Sequence, residues 1–424
     1  MANDYDKRKE TQEKTSEEPA RDTAVPEEEH ISYEDRSFQD FEPETAHRSS
    51  ISKKTKAVIT ILLLCMVAVI VVAGWQNLSP DRLAGSMEKN FLDNDKGDGF
   101  PSALVGTKVN NGNMKRWDKN LAYVSDTSFV VLNSSGGKLI DRQISYSDPV
   151  IVTKGNYCLI YNLGGLGFEI NTMGDTIHKG DVKSNLLSGD INTRGEYAIL
   201  SETDGYLGKL TAFNTDNSQK YAYYFSDYYP SSVSINEDGT MAAVAGVSSK
   251  DGVLRSVLYV LDFTSAEPKA MLEFDDNLIY TVSFMDNGNI AVIGDSSASV
   301  VKSNYSDKQT VSYDKLMLTA YDIDMYNGVA LSLSRSGDGR SCNLLYLDKN
   351  GNAGEPITTD LKITSISMYG DRIGVLSGEE LRTFYKNGNE GAKTNAGVDA
   401  KAICMESENS AYILGISEMR FTRF

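Results

Sequence analysis

From about residue 100 onward the chain shows no helical period. Short runs rich in Val, Ile, Leu and Tyr are separated by Gly, Asn and Asp, the pattern of strands joined by tight turns. Two signatures repeat along it. The first is a polar turn ending in Gly and followed at once by an aliphatic strand. It occurs at Gly155 before NYCLIY, Gly195 before EYAIL, Gly239 before TMAAVAG, Gly288 before NIAVIG, Gly328 before VALSLS and Gly370 before DRIGVLS. These glycines lie 40, 44, 49, 40 and 42 residues apart. Weaker copies without Gly precede NLAYVS from Asn120 and SAYILG from Ser410. Gly suits such turns because a tight hairpin requires positive φ. The second signature is a further strand ending in a polar turn: VVLNSSGGK (130–138), FEINTMGD (168–175), LTAFNTDN (210–217), VLYVLDF (257–263), LLYLDKNGN (344–352) and RTFYKNGN (382–389).

Two hairpins in each stretch of about 40 residues make four antiparallel strands, the blade of a β-propeller. The sequence therefore predicts an all-β fold. Second strands start near 120, 156, 196, 241, 290, 328, 372 and 410, which predicts eight four-stranded blades, with seven as the alternative. The last unit holds only three strands, AKAICM, SAYILGI and EMRFTRF. FPSALVG (100–106) is expected to supply its outer strand and close the ring.

On these repeats, over about 325 residues, the chain resembles the WD40/YVTN and quinoprotein-type propellers. The Gly-His…Trp-Asp pair of the WD40 type is missing. Leu347-Asp348-Lys349-Asn350-Gly351 is similar to the strand-then-Asp turn of the quinoprotein type, but that type places a Trp soon after. The chain has only Trp75 and Trp117, so neither a quinone nor any other cofactor is expected.

Upstream of the repeats the pattern changes. Ala57 to Trp75 reads AVITILLLCMVAVIVVAGW, without charge or Pro. As a helix at about 1.5 Å per residue it spans a hydrocarbon core of about 30 Å. Lys53, Lys54 and Lys56 precede it and mixed charges follow, so the positive-inside rule sets the N-terminus in the cytoplasm and the bulk of the chain outside, with Trp75 as an interfacial anchor. A cleaved signal peptide fits poorly after more than fifty residues, and a lipoprotein anchor fails because Leu64 precedes Cys65. The expected organisation is an acidic disordered tail (1–52), a transmembrane helix (53–76), a linker (77–99) and an extracytoplasmic propeller (100–424). DNDKGDG (Asp93 to Gly99) departs from a calcium loop at its fifth, sixth and twelfth positions and is read as linker. This layout resembles the uncharacterised single-pass membrane-anchored propellers of bacteria, which carry no established activity.

Composition narrows the function. The chain has 42 basic and 59 acidic residues, a net charge of −17. That balance disfavours a nucleic-acid partner, which calls for a basic stripe. Residues 1–50 alone hold 15 acidic and 7 basic residues and almost no aliphatic ones, a composition that cannot offset the entropy of ordering. Of the four cysteines, Cys65 lies in the apolar run, and Cys158, Cys342 and Cys404 read as buried free thiols. Only His178 lies among the repeats, on an expected outer strand, which rules out a multi-His metal site there. No G-x-S-x-G, P-loop or H-E-x-x-H motif occurs. The carboxylate pairs Asp275-Asp276, Asp322 with Asp324, and Glu379-Glu380 read as solvated edges or turns.

The expectation is a binding or scaffolding module of the cell envelope, not an enzyme, with a protein or glycan partner. In propellers the hairpins between second and third strands share a rim with the links between blades. Three such hairpins look elongated, around Asp204 and Tyr206, around Lys250 and Asp251, and from Arg335 through Asp338 to Arg340. The link YAYYFSDYYP adds Tyr228 and Tyr229. Tyrosines and mixed charges on one rim suit protein or glycan contacts. Two alternatives remain: a transmembrane sensor whose tail engages a cytoplasmic partner, and a propeller glycosidase-type hydrolase.

Overall fold

Each second strand reads as an unbroken aliphatic run because both of its faces are covered. In the computed structural model, which describes residues 99–424 apart from 251, 336–340 and the side chain of Lys250, the chain forms eight four-stranded antiparallel sheets. Strands are numbered β1 to β32 in chain order. The innermost strands of blades 1 to 8 are β2 (Met114–Trp117), β6 (Pro149–Lys154), β10 (Leu186–Ile191), β14 (Tyr229–Ile235), β18 (Ile279–Phe284), β22 (Met317–Asp324), β26 (Ser365–Tyr369) and β30 (Ala402–Ser407). The second strands begin at 120, 157, 197, 241, 290, 328, 372 and 410, within one residue of the expected starts. Among the described residues the one helical turn is a 3-10 segment at Asn111–Asn113.

All six signature glycines have positive φ, from 52° at Gly155 to 118° at Gly328. The turn of blade 1, which has no Gly, gives that conformation to Asp118 at φ 56°. Gly328 has a second constraint. A Cβ there would overlap the carbonyl oxygen of Leu347.

Eight separate apolar clusters are buried, one at each junction between neighbouring blades. In blade 4, Ala242 and Val244 pack toward blade 3, while Ala243 and Ala245 pack toward blade 5. The eighth junction joins Leu121, Tyr123 and Val130 of blade 1 to Ala402, Tyr412 and Met419 of blade 8, so the ring closes. The outer strands alternate instead, as in β9 (Thr176–Asp181), whose one face is solvated.

Closure uses both ends of the repeat region. β1 (Ser102–Ala103) pairs antiparallel with β32 (Glu418–Arg423), as Ser102↔Met419 and Ala103↔Glu418. It forms the outer strand expected of FPSALVG. Leu104 N donates to Ser417 O at 2.9 Å, and Val105 N donates to the Tyr123 hydroxyl at 3.2 Å. Phe100 packs between Tyr412 and Phe421, with ring centroids at 5.8 and 5.6 Å.

Among the described residues no helix is long and apolar enough to cross a membrane. The expected tail and span, with Lys53, Lys54, Lys56 and Trp75, lie outside the described residues.

Candidate functional site

Two regions gather polar and aromatic side chains: the rim over blades 3 and 4, and a central cavity.

At the rim, β11 (Tyr197–Ser201) and β12 (Gly208–Phe213) are joined by residues 202–207, which carry Asp204 and Tyr206. Asp204 and Tyr206 are exposed. The Tyr206 ring lies 5.0 Å from that of Tyr224 near the end of β13 (Gln219–Phe225). Most of the tyrosine-rich segment expected as a link is this strand. The link itself is only 226–228, because β14 starts at Tyr229. Tyr228 is held: its hydroxyl donates to Glu273 Oε1 at 3.2 Å, and its ring meets Tyr259 edge-on at 6.1 Å. Burial and the Glu273 charge raise its phenol. Tyr229 is 60% exposed. Gly208 lies against Pro230, so the base of the hairpin adjoins the start of β14 and these residues form one patch.

Of the other expected rim residues, Arg335 is not drawn into it. The hairpin near residue 250 is elongated in its strands and not in its loop. β15 (Met241–Lys250) and β16 (Val253–Asp262) pair over ten residues each, up to Lys250↔Val253. Arg335 is exposed on blade 6, two blades away. Asp251, Asp338 and Arg340 lie outside the described residues, as does the side chain of Lys250.

The cavity has a volume of about 1110 Å³ and is lined from all eight blades. The innermost strand of a blade has one edge paired in its own sheet and the other free of any strand. A free edge leaves amides that need acceptors. The preceding blade supplies them. Asp190 accepts from Ile235 N at 3.0 Å and Ser234 Oγ at 2.9 Å. Ser234 accepts from Phe284 N at 3.0 Å, Asp322 from Met368 N at 2.7 Å, and Ser367 from Met405 N at 2.9 Å. The expectation of a solvated edge or turn is therefore corrected for Asp322, whereas Asp324 does sit at a turn. Both line the cavity, where Asp322 is sunk among protein groups and Asp324 caps the following turn through Tyr326 N and Asn327 N.

One residue of each blade lines the wall at a matching level: Lys115, Thr153, Asp190, Ser234, Ser283, Asp322, Ser367 and Cys404. Six of these pair across the sheet with Ala or Gly, as in Lys115↔Ala122 and Ser367↔Gly374. Burial raises the Asp190 carboxyl above its ordinary value, while Lys154, Ile235 N and Ser234 pull the other way. Asp322 is raised for the same reason, against Lys115 and Met368 N. Burial pushes the Cys404 thiol up to about 11, and Cys158, Cys342 and Cys404 are all buried, as expected.

Sequence reasoning missed Lys115, Arg116, Lys154 and Asp190. Their signal is a charge inside an otherwise apolar strand just before a signature turn, as in MKRW, VTK and SGDI. His178 lies on outer strand β9, as expected, with Nε2 2.7 Å from the Thr215 carbonyl oxygen. Asp276 is exposed at a turn of positive φ, and Glu380 is bound by Arg382 and Lys393. No group of three metal-ligating side chains occurs among the described residues.

Residues 103–420 match the family of unknown function DUF5711, and the chain belongs to that family. No curated protein matches it in sequence. Among solved structures it is similar to hydrazine synthase of Kuenenia stuttgartiensis, at 11% identity and a TM-score of 0.44, over 76% of this chain and 98% of that one. That degree of likeness carries nothing about chemistry.

Proposed function

We propose that this member of a family without assigned activity is a membrane-anchored, extracytoplasmic binding module that engages an envelope protein or glycan through the rim of blades 3 and 4, without catalysing a reaction. One observation carries the reading: Tyr206 and Tyr224, exposed at 51 and 44%, lie ring to ring at 5.0 Å, and Tyr229, 60% exposed, stands next to the Pro230 that adjoins the base of their hairpin. Exposed aromatic side chains bury large area on contact and bring a polar tip for hydrogen bonding. The apolar run from Ala57 to Trp75, with Lys53, Lys54 and Lys56 before it, supports anchoring with the propeller outside. The competing reading is a sensor that reports through its acidic tail.

Crosslinking capture from cells separates the two. The expected result is that partners are kept when residues 1–50 are removed and lost in Tyr206→Ser/Tyr229→Ser. Loss of every specific partner on removing the tail would move the function there.

A further inference from the structure

The rim is not the only place where the chain is prepared for a ligand. Lys115 and Arg116 of blade 1 and Lys154 of blade 2 stand side by side on the cavity wall. None has a carboxylate within ion-pair distance among the described residues. Arg116 lies over the Tyr369 ring at 4.4 Å, and Lys154 Nζ lies 3.5 Å from the Met325 sulfur, a weak acceptor. Met325 belongs to blade 6, diametrically opposite blade 2 in a ring of eight, so this contact crosses the axis.

The carboxylates deep in the cavity do not neutralise these cations by contact. One oxygen of each, Asp190 Oδ2 and Asp322 Oδ2, accepts from an amide of the next blade. Asp324 is turned to its own capping bonds. Lys115 is exposed and Arg116 and Lys154 are half-buried, so all three stay accessible to an anion entering the cavity. Tyr280 and Tyr321, 49 and 40% exposed, line the cavity from blades 5 and 6 and offer aromatic faces.

We infer that the central cavity binds a small organic or inorganic acid, with its carboxylate or phosphate held by Lys115, Arg116 and Lys154 and the rest of the molecule directed toward Tyr280 and Tyr321. A volume of about 1110 Å³ admits a molecule the size of an acidic sugar together with water. The site is separate from the rim patch and stands or falls without it.

Calorimetric titration of the purified 424-residue chain tests this, with inorganic phosphate in one arm and glucuronate in the other. Saturable binding is expected in at least one arm. Phosphate alone would identify a phosphate-bearing ligand, and glucuronate alone a carboxylate-bearing one. Lys115→Gln/Lys154→Gln should weaken binding at least tenfold, while the rim variant Tyr206→Ser/Tyr229→Ser should leave it unchanged. If the double variant does not fold, Lys115→Gln alone serves, with at least a threefold loss expected. No saturable binding in either arm, or equal binding by a folded lysine variant, would overturn the proposal.

Discussion

In blade 4 the hairpin β15–β16 pairs ten residues on each strand, whereas in blade 8 the outer strand β1 pairs only two. Both blades nevertheless sit between neighbours on equally dry apolar clusters. Blade 4 is cut from continuous chain and has backbone bonds to spare, extending past the core to exposed Val253 and Leu254. Blade 8 is assembled from segments distant in sequence. It makes up for its short ladder with side chains, Phe100 against Tyr412 and Phe421, and Thr107 bound to Asp126 of blade 1. Backbone pairing is thus a poor guide to where the ring is held. Buried contact at the junctions is the better one.

The comparison can be broken most forcefully at the seam. Replacing Phe100 to Leu104 with Gly and Ser should cost on the order of 5 kcal/mol, since it removes a packed aromatic ring together with the closing strand. Thermal unfolding should broaden, and Cys404, otherwise a buried thiol raised to about 11, should become open to alkylation. An unchanged sharp transition would mean that the other three strands hold blade 8 unaided.

A smaller loss is expected from Ser367→Ala, which strips the acceptor from the buried Met405 amide at the junction of blades 7 and 8. The cost should be about 1–3 kcal/mol in chemical denaturation. At the junction of blades 3 and 4 the acceptor is instead a carboxylate, so the two junctions should differ in pH response. The Asp190 carboxyl is raised in the folded protein by burial. It therefore keeps a proton that the unfolded chain has lost, and stability falls as pH rises from about 4 through the raised value. Asp190→Asn cannot ionise, so its melting temperature should gain on the parent at pH 8 relative to pH 4. An equal difference at both pH values would show that burial of the charge is not what penalises this junction. Least of all should come from Leu254→Ser at the exposed tip of blade 4, within about 0.5 kcal/mol in the same denaturation assay.

Blade number and strand starts were readable because two physical demands leave marks in single residues. Second strands buried on both faces are mostly aliphatic, as in Ile290–Gly294, and in seven of the eight blades the turn before them reaches positive φ, as at Gly239. Closure by FPSALVG followed from counting strands. The cavity left only a faint mark, a charge just before a signature turn. Asp190 in LLSGDI and Asp322 in YDIDMY look like polar positions on any strand edge, and only ring closure turns that edge toward other blades. The rim was half legible. Tyr206 and Tyr229 follow from turn and link position, but whether a long hairpin extends by loop or by ladder depends on pairing. Near residue 250 it extends by ladder.

The seam also has a consequence in time. Ala103 leaves the ribosome roughly 315 residues before its partner Glu418, an interval of about 15–60 s at ordinary rates of synthesis. Seven junctions can form as translation proceeds, each between neighbours already made. The eighth cannot, so the nascent chain passes through a long-lived open arc whose first and last faces are apolar. Protecting those two faces, from each other's copies on adjacent chains as much as from solvent, is a demand on the cell that no single mature molecule displays.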